Sequence, residues 1–147
     1  MRYWDASALV PIVVEEDGSA LVDEWLRIDE GVCTWGLTRI ELVSAVERRA
    51  REGAMDGAKR RSALKLVADL CTAATEVLDL EAVRVRASAI LARHSLRAAD
   101  AAQLGAALVV AEGGFNAIQF VCLDRRLADA AAREGFDVLT WPDPSAR

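Results

Sequence analysis

The sequence predicts an α/β fold built around a mostly parallel sheet. Short apolar runs of strand type alternate with longer helical patterns from end to end, and this alternation is the signature of βαβ units. The length of 147 residues suits a single domain. No internal repeat or linker interrupts the pattern, so we expect one domain over residues 1–141 and a short C-terminal tail over residues 142–147.

Five short runs are expected to form the strands, in this order: Arg2–Trp4, Val32–Trp35, Glu76–Leu78, Phe120–Leu123 and Val138–Trp141. Capping residues and glycines indicate where the intervening helices begin and end. Ser19, Thr38 and Asp56 are the expected N-caps, while Gly53 and Gly135 follow helix ends. The expected helices are Ala20–Ile28, Thr38–Glu52, Asp56–Ala74, Glu81–Arg93, Ala98–Glu112 and Arg125–Glu134.

Composition narrows the class of protein. The chain is 53% hydrophobic and 28% charged, an ordinary globular profile. We find no signal peptide or membrane helix and therefore expect a cytoplasmic protein with no membrane partner. Three widely spaced cysteines favour reduced core residues over a zinc site. The net charge of −5 argues against a simple nucleic-acid-binding module, although seven basic residues between Arg48 and Lys65 form a local excess that suits phosphates.

Four acidic residues accompany the apolar segments. Asp5 and Asp124 directly follow strands, Glu41 follows the second strand across a turn, and Asp100 lies at the start of an alanine-rich helix. Parallel strands bring their carboxyl ends to one edge of a sheet, where ligands bind. Clustered carboxylates raise one another's pKa unless a cation neutralises them, and hard oxygen ligands favour Mg²⁺ or Mn²⁺. The sequence therefore predicts a metal-dependent enzyme acting on phosphate.

Each acid also has a purely structural interpretation. Asp5 and Asp124 are suitable N-caps, and Thr38 with Glu41 matches the S/T-x-x-E capping box. Asp100 in a first helical turn would be stabilised by the helix dipole. These interpretations stay open at the level of sequence.

The same residues, in order, resemble a PIN domain, and most of all the toxin ribonucleases of VapC type. The resemblance covers Arg2 to Trp141, and the ordered set is more specific than any one motif. It is carried by Asp5-Ala6-Ser7, Glu41, the segment from Leu96 to Leu104 that contains Asp100, and Cys122-Leu123-Asp124.

The resemblance implies a three-layer fold with sheet order 3-2-1-4-5 and a Mg²⁺- or Mn²⁺-dependent endoribonuclease site. Catalytic and metal-binding acids then fall on Asp5, Glu41, Asp100 and Asp124, with Ser7 in support and Arg97 as a phosphate contact. It further implies an RNA substrate, a homodimer, and a small antitoxin that neutralises the toxin within a type II toxin–antitoxin system. The family often has a small hydroxyl residue after the second strand, where this chain has Trp35-Gly36.

Other classes fit less well. A phosphoacceptor receiver domain needs a lysine at a late strand end, but Lys59 and Lys65 lie mid-chain. A haloacid-dehalogenase-like phosphatase needs Asp-x-Asp where this chain has Asp5-Ala6-Ser7. The stronger alternative is a non-catalytic PIN-like module that binds RNA or a protein, and cleavage of single-stranded DNA also stays open.

Overall fold

The computed structural model describes residues 1–115 and 117–142 of the chain. Its sheet has five strands in the order β3-β2-β1-β4-β5, and every neighbouring pair is parallel. This confirms the expected fold class and strand order. The strands are β1 (Arg2–Trp4), β2 (Val32–Trp35), β3 (Thr75–Val77), β4 (Phe120–Val121) and β5 (Val138–Leu139).

Seven helices flank the sheet in the described ranges. They are α1 (Ala6–Val13), α2 (Ser19–Ile28), α3 (Thr38–Arg51), α4 (Gly57–Ala73), α5 (Leu80–Arg93), α6 (Ala98–Glu112) and α7 (Arg125–Arg133).

The sheet separates two hydrophobic clusters, because successive side chains of a strand point to opposite faces. Tyr3 packs with residues of α5, α6 and α7. Trp4 packs with residues of α1, α2, α3 and α4. Both aromatic side chains are fully buried, so β1 lies at the centre of a three-layer domain. The carboxyl end of β1 lies between the carboxyl ends of β2 and β4. The turns that follow these three strands therefore lie side by side.

The N-cap interpretation of Asp5 implied a helix after β1, but no range was expected for α1. The run from Ala6 to Val13 is apolar on all sides and contains Pro11, so it lacks the alternation of polar and apolar residues that predicts a surface helix. The helix forms because it is buried, with Ala8 and Leu9 almost inaccessible to solvent. It follows β1 after only one residue, Asp5, and thereby fixes the direction of that side chain.

Two expected caps were wrong. Helix α2 has Gly18 as its N-cap, at φ 97°, and the Ser19 hydroxyl instead donates to the Pro11 carbonyl. Helix α3 has Leu37 as its N-cap, without a side-chain cap. Asp56 does cap α4, accepting from the Lys59 amide.

Strands β4 and β5 are shorter than expected, and β3 begins and ends one residue earlier. These ends are loops because the neighbouring chain turns into a helix or leaves the sheet. Of the expected tail, residues 143–147 lie outside the described residues. None of the described helices is long and apolar enough to cross a membrane.

Candidate active site

Asp5 occupies the junction between β1 and α1. Its amide donates to the Val121 carbonyl of β4, which continues the sheet pairing by one residue. Its carboxylate caps α1: Oδ2 accepts from the Ser7 amide at 2.9 Å and from the Ser7 hydroxyl. The residue is only 4% exposed. Asp5 is therefore an N-cap, as one interpretation of the sequence held, and also a buried carboxylate at the carboxyl edge of the sheet.

Ser7 ties the ends of β1 and β4 together. Besides donating to Asp5, its Oγ accepts from the Leu123 amide at 3.0 Å and the Asp124 amide at 3.2 Å. The buried Cys122 thiol lies 3.7 Å from Asp5 Oδ2. The hydroxyl thus holds two acid-bearing turns in fixed relation, which is a more specific task than capping a helix.

Glu41 is held from the opposite side by a buried polar network. Gln103 Nε2 donates to Glu41 Oε2 and, at 2.9 Å, to Thr38 Oγ1, while Gln103 Oε1 accepts from the Tyr3 hydroxyl at 2.8 Å. Thr38 Oγ1 lies 2.7 Å from Thr34 Oγ1, and Thr34 donates to the Trp4 carbonyl. The network joins β1, β2, α3 and α6 immediately beneath the carboxyl edge.

This network overturns the capping-box interpretation of Thr38 and Glu41. Both side chains bond to Gln103 on α6, and the N-cap of α3 is Leu37. In the described part of the chain the buried polar residues are Asp5, Thr34, Thr38 and Gln103, and all of them lie here. Buried polar groups are costly unless satisfied, and each of these four has a hydrogen-bond partner.

Gln103 was missed by the sequence analysis. A glutamine in the middle of an alanine-rich, buried helix is a signal in hindsight, since most of its neighbours in α6 are apolar. Its partners Glu41 and Tyr3 are 62 and 100 residues distant in sequence, and no local pattern reveals such contacts.

Asp100 and Asp124 lie at a more open place. They line a cavity of about 290 Å³ together with Arg97, Arg125 and Arg126. Asp100 is half-buried in the first turn of α6, whereas Asp124 is exposed and caps α7 by accepting from the Leu127 amide at 2.9 Å. Asp5 and Glu41 are not part of this lining. The geometry thus gives two acid pairs: the buried Asp5 with the half-buried Glu41, called the buried pair below, and the open pair of Asp100 and Asp124.

Electrostatic effects link the two pairs. Burial is the main cause that raises the pKa of Asp5, with a contribution from the charge of Asp100. Burial, Asp5 and Asp100 together raise the pKa of Glu41 to about 7. Burial and then Asp124 raise the pKa of Asp100, against the opposing influence of Arg97 and Arg126. The charge of Asp100 thus reaches both Asp5 and Glu41, and the charge of Asp124 reaches Asp100.

The donor set fits a hard divalent cation. The pKa values of Asp5, Glu41 and Asp100 are raised. A bound cation would lower these pKa values, because it stabilises the charged carboxylates. Within residues 1–115 and 117–142, no three His, Cys, Asp or Glu side chains are grouped closely enough to hold one ion. Mg²⁺ usually retains several waters and needs only one or two protein carboxylates. The residues suit a hydrated ion of this kind.

The basic stretch between Arg48 and Lys65 lies elsewhere. Arg48 and Arg51 follow Glu41 on α3 by seven and ten residues, or about 10–15 Å along the helix axis. Several of its cations are engaged by acids, as in Arg49 with Glu16 and Arg60 with Glu47. The arginines that adjoin the acids are Arg97, Arg125 and Arg126, and of these the sequence analysis singled out Arg97 alone.

Comparison with known proteins agrees with this geometry. The model of the family described as PIN domain matches residues 2–133. Among solved structures, the crystal structure of PAE2754 from Pyrobaculum aerophilum is 27% identical, with a TM-score of 0.58 over 88% of this chain and 79% of that one. No curated protein matches the chain. Because the family match spans nearly the whole domain and the sheet order agrees, the chain belongs to the PIN domain family, whose members generally have a nuclease fold.

Proposed function

We propose that this protein is a Mg²⁺- or Mn²⁺-dependent endoribonuclease. The observation that carries the proposal is a pair of carboxylates fixed by hydrogen bonds at the ends of neighbouring strands, Asp5 by Ser7 and Glu41 by Gln103. The pKa of each is raised, first by burial and further by the charge of Asp100. Membership in a family of nucleases supports the same conclusion.

Each residue has a proposed task. Asp5 and Asp100 hold the ion directly, whereas Glu41 and Asp124 act through water. Ser7 fixes the Asp5 carboxylate, and Arg97 binds a phosphate oxygen of the RNA. A bound divalent ion would supply an activated water for in-line attack on a phosphodiester and charge stabilisation for the leaving oxygen.

The buried pair prepares this site before substrate arrives. Gln103 orients Glu41 and Ser7 orients Asp5, so neither carboxylate has to be ordered when RNA binds. Preorganised charge of this kind is a major source of rate enhancement, because no reorganisation is needed during the reaction.

The proposed partners follow from the family. We propose that the protein is the toxin of a type II toxin–antitoxin system, with an antitoxin whose basic side chain enters the acidic site. We also propose a homodimer formed through the helix pair between Thr38 and Ala74. Ile40 on α3 is 64% exposed and Leu66 on α4 is 47% exposed, which supplies apolar surface for that contact. Light scattering at micromolar concentration tests the dimer, and a monomer would contradict it.

The alternative is a module that binds RNA or a protein without cleaving it. Purified protein, free of any partner, would be incubated with structured and unstructured RNAs in EDTA, Mg²⁺ or Mn²⁺, beside Asp5→Asn. Asparagine keeps the size of the side chain and most cap geometry but removes the charge. A metal contribution of several kcal/mol predicts at least about a hundredfold loss of cleavage, since 1.36 kcal/mol is tenfold in rate.

RNA binding by Asp5→Asn should persist, because arginines and lysines carry it. Metal-dependent cleavage that is undiminished in Asp5→Asn would contradict the mechanism. Binding without cleavage under every metal would favour the module. Single-stranded DNA of the same base sequence, tested in parallel, establishes which polymer is the substrate.

A further inference from the structure

A second cavity adjoins the acidic one. It has a volume of about 300 Å³ and lies where the α5–α6 connection faces α7, with Arg93, His94, Ser95, Arg126, Asp129 and Arg133 in its lining. Arg126 lines both this cavity and the one that contains Asp100 and Asp124. The two cavities are therefore neighbours that share one arginine.

The second cavity is positively charged. Arg93 and His94 both bond to Glu134, with His94 Nε2 only 2.6 Å from Glu134 Oε1. The side chain of His94 is 9% exposed and that of Glu134 14%, whereas that of Arg93 is 51% exposed, and Glu134 lies outside the lining of the cavity. Asp129 contributes the one acidic side chain among the lining residues, against three arginines.

Two of those arginines are available to a ligand. Arg126 and Arg133 are exposed, and in residues 1–115 and 117–142 neither has a carboxylate within salt-bridge distance. They are seven residues apart on α7, so they lie on the same face, separated by two turns or about 10 Å. Phosphates of a stacked strand repeat at roughly 3.4 Å, so this distance spans on the order of three nucleotides.

We propose that the cavity between the α5–α6 connection and α7 binds the phosphodiester backbone of single-stranded RNA beside the bond that is cleaved. Arg126 and Arg133 contact the phosphates. Arg93, which pairs with Glu134, also lines the cavity. This inference rests on the proposed function, because it assigns the direction in which the substrate leaves the acidic site. RNA affinity then depends on Arg126 and Arg133 and not only on residues beside the four acids.

The test uses Arg133→Gln, which leaves the acidic cavity intact, and Arg84→Gln as a matched control. Arg84 lies on α5, is 64% exposed and pairs with Glu81, so both variants lose one surface charge. A fluorescein-labelled single-stranded RNA of about twelve nucleotides, within the usual size of single-strand sites, is titrated in EDTA at several salt concentrations. Fluorescence anisotropy reports the affinity without cleavage.

Arg133→Gln should bind more weakly than wild type by several-fold, and the slope of log affinity against log salt should fall by about 0.7, the value for one phosphate contact on a single strand. Arg84→Gln should change neither quantity. Equal effects of the two variants, or no effect of Arg133→Gln, would overturn the proposal. So would a wild-type protein that does not bind the RNA.

Cleavage separates this inference from the proposed function. If wild type cleaves RNA with Mn²⁺, Arg133→Gln should raise KM and leave kcat unchanged, as expected for loss of uniform binding. An unchanged KM would overturn the second cavity while the nuclease stands. If wild type cleaves nothing but Arg133→Gln still loses RNA affinity selectively, the binding surface stands and the nuclease fails.

Discussion

The buried and the open half of the acidic site are built on different principles. Asp5 and Glu41 are each fixed by hydrogen bonds from neighbouring side chains, Ser7 in one case and Gln103 in the other. Asp100 and Asp124 instead line an open cavity with three arginines. The buried half has its geometry fixed by the fold, whereas the open half has cations on the side from which a substrate would approach.

The two halves suit two different requirements of the proposed reaction, which are binding of a cation and approach of a negatively charged phosphate. Of the two proposed direct ligands, Asp5 lies in the buried half, where a low dielectric strengthens its interaction with a cation, and Asp100 lies in the open half. Carboxylates beside a phosphate need nearby positive charge, since they would otherwise repel the substrate. The arginines next to Asp100 and Asp124 supply that charge, and their placement on the exposed side leaves the buried pair free of direct cationic partners among the described residues.

The largest expected stability effect concerns metal binding at the junction of the two halves. At a Mn²⁺ concentration of about 100 Kd, native-state binding adds about 2.7 kcal/mol, which for a domain of this size corresponds to a rise in Tm of roughly 5–10 °C relative to EDTA. Asp100→Asn should lose most of that rise, because Asp100 is a proposed ligand. Thermal melts of both proteins in Mn²⁺ and in EDTA measure it, and equal shifts would place the ion elsewhere.

The open half could be predicted from sequence only in part. Asp124 follows a strand, and the rule that parallel strands end at a common edge was sufficient to expect it there, whereas Asp100 follows no strand and was assigned to the site through the family resemblance. The buried half could be predicted only in part. Asp5 was placed correctly at the end of β1, but the orientation of Glu41 depends on Gln103, and a contact over 62 residues leaves no local pattern. The N-cap interpretation of Asp5 implied helix α1, but its extent could not be predicted, because burial removes the periodicity that marks a surface helix.

Gln103→Leu tests the buried half alone. The variant leaves the buried Tyr3 hydroxyl without its partner, while Thr38 keeps its bond to Thr34. A buried polar group that loses its hydrogen bond costs about 1–3 kcal/mol. We expect a destabilisation of that size and an activity loss from a misoriented Glu41. Thr72→Val is the control, because the Thr72 hydroxyl bonds the Ala68 carbonyl at an exposed place where substitutions usually change stability by less than about 0.5 kcal/mol. Urea unfolding measures the free energy of unfolding of both variants. Equal losses would show that the buried network stabilises the fold no more than an exposed hydrogen bond does.

The pH dependence of stability gives a further comparison. The pKa of Glu41 is raised to about 7 from an ordinary 4.5, so the folded protein binds this proton more tightly than the unfolded chain. The resulting stabilisation is complete below the unfolded pKa and is lost as pH rises through about 7. Without metal, the free energy of unfolding should fall between about pH 5 and pH 8, and Glu41→Gln should flatten part of that fall.

Mn²⁺ should reverse this trend, since carboxylate ligands must be deprotonated to bind a metal. The stabilisation by Mn²⁺ is expected to grow across the same pH window. Urea unfolding at a series of pH values, in EDTA and in Mn²⁺, measures both effects. A wild-type profile identical to that of Glu41→Gln would mean that Glu41 is not the group responsible.

The smallest effect belongs to Asp124, and it separates the two roles that the sequence left open. Asp124→Ala removes both the cap on α7 and the charge, and loss of such a cap costs about 0.5–2 kcal/mol. Asp124→Asn keeps the acceptor for the Leu127 amide and should be nearly as stable as wild type. If Asp124 belongs to the site, both variants lose activity by a similar factor despite their different stabilities, because the charge is what they share. If its role is only to cap α7, Asp124→Asn stays fully active while Asp124→Ala is destabilised. Cleavage rates measured well below both melting temperatures, together with urea unfolding, distinguish these outcomes.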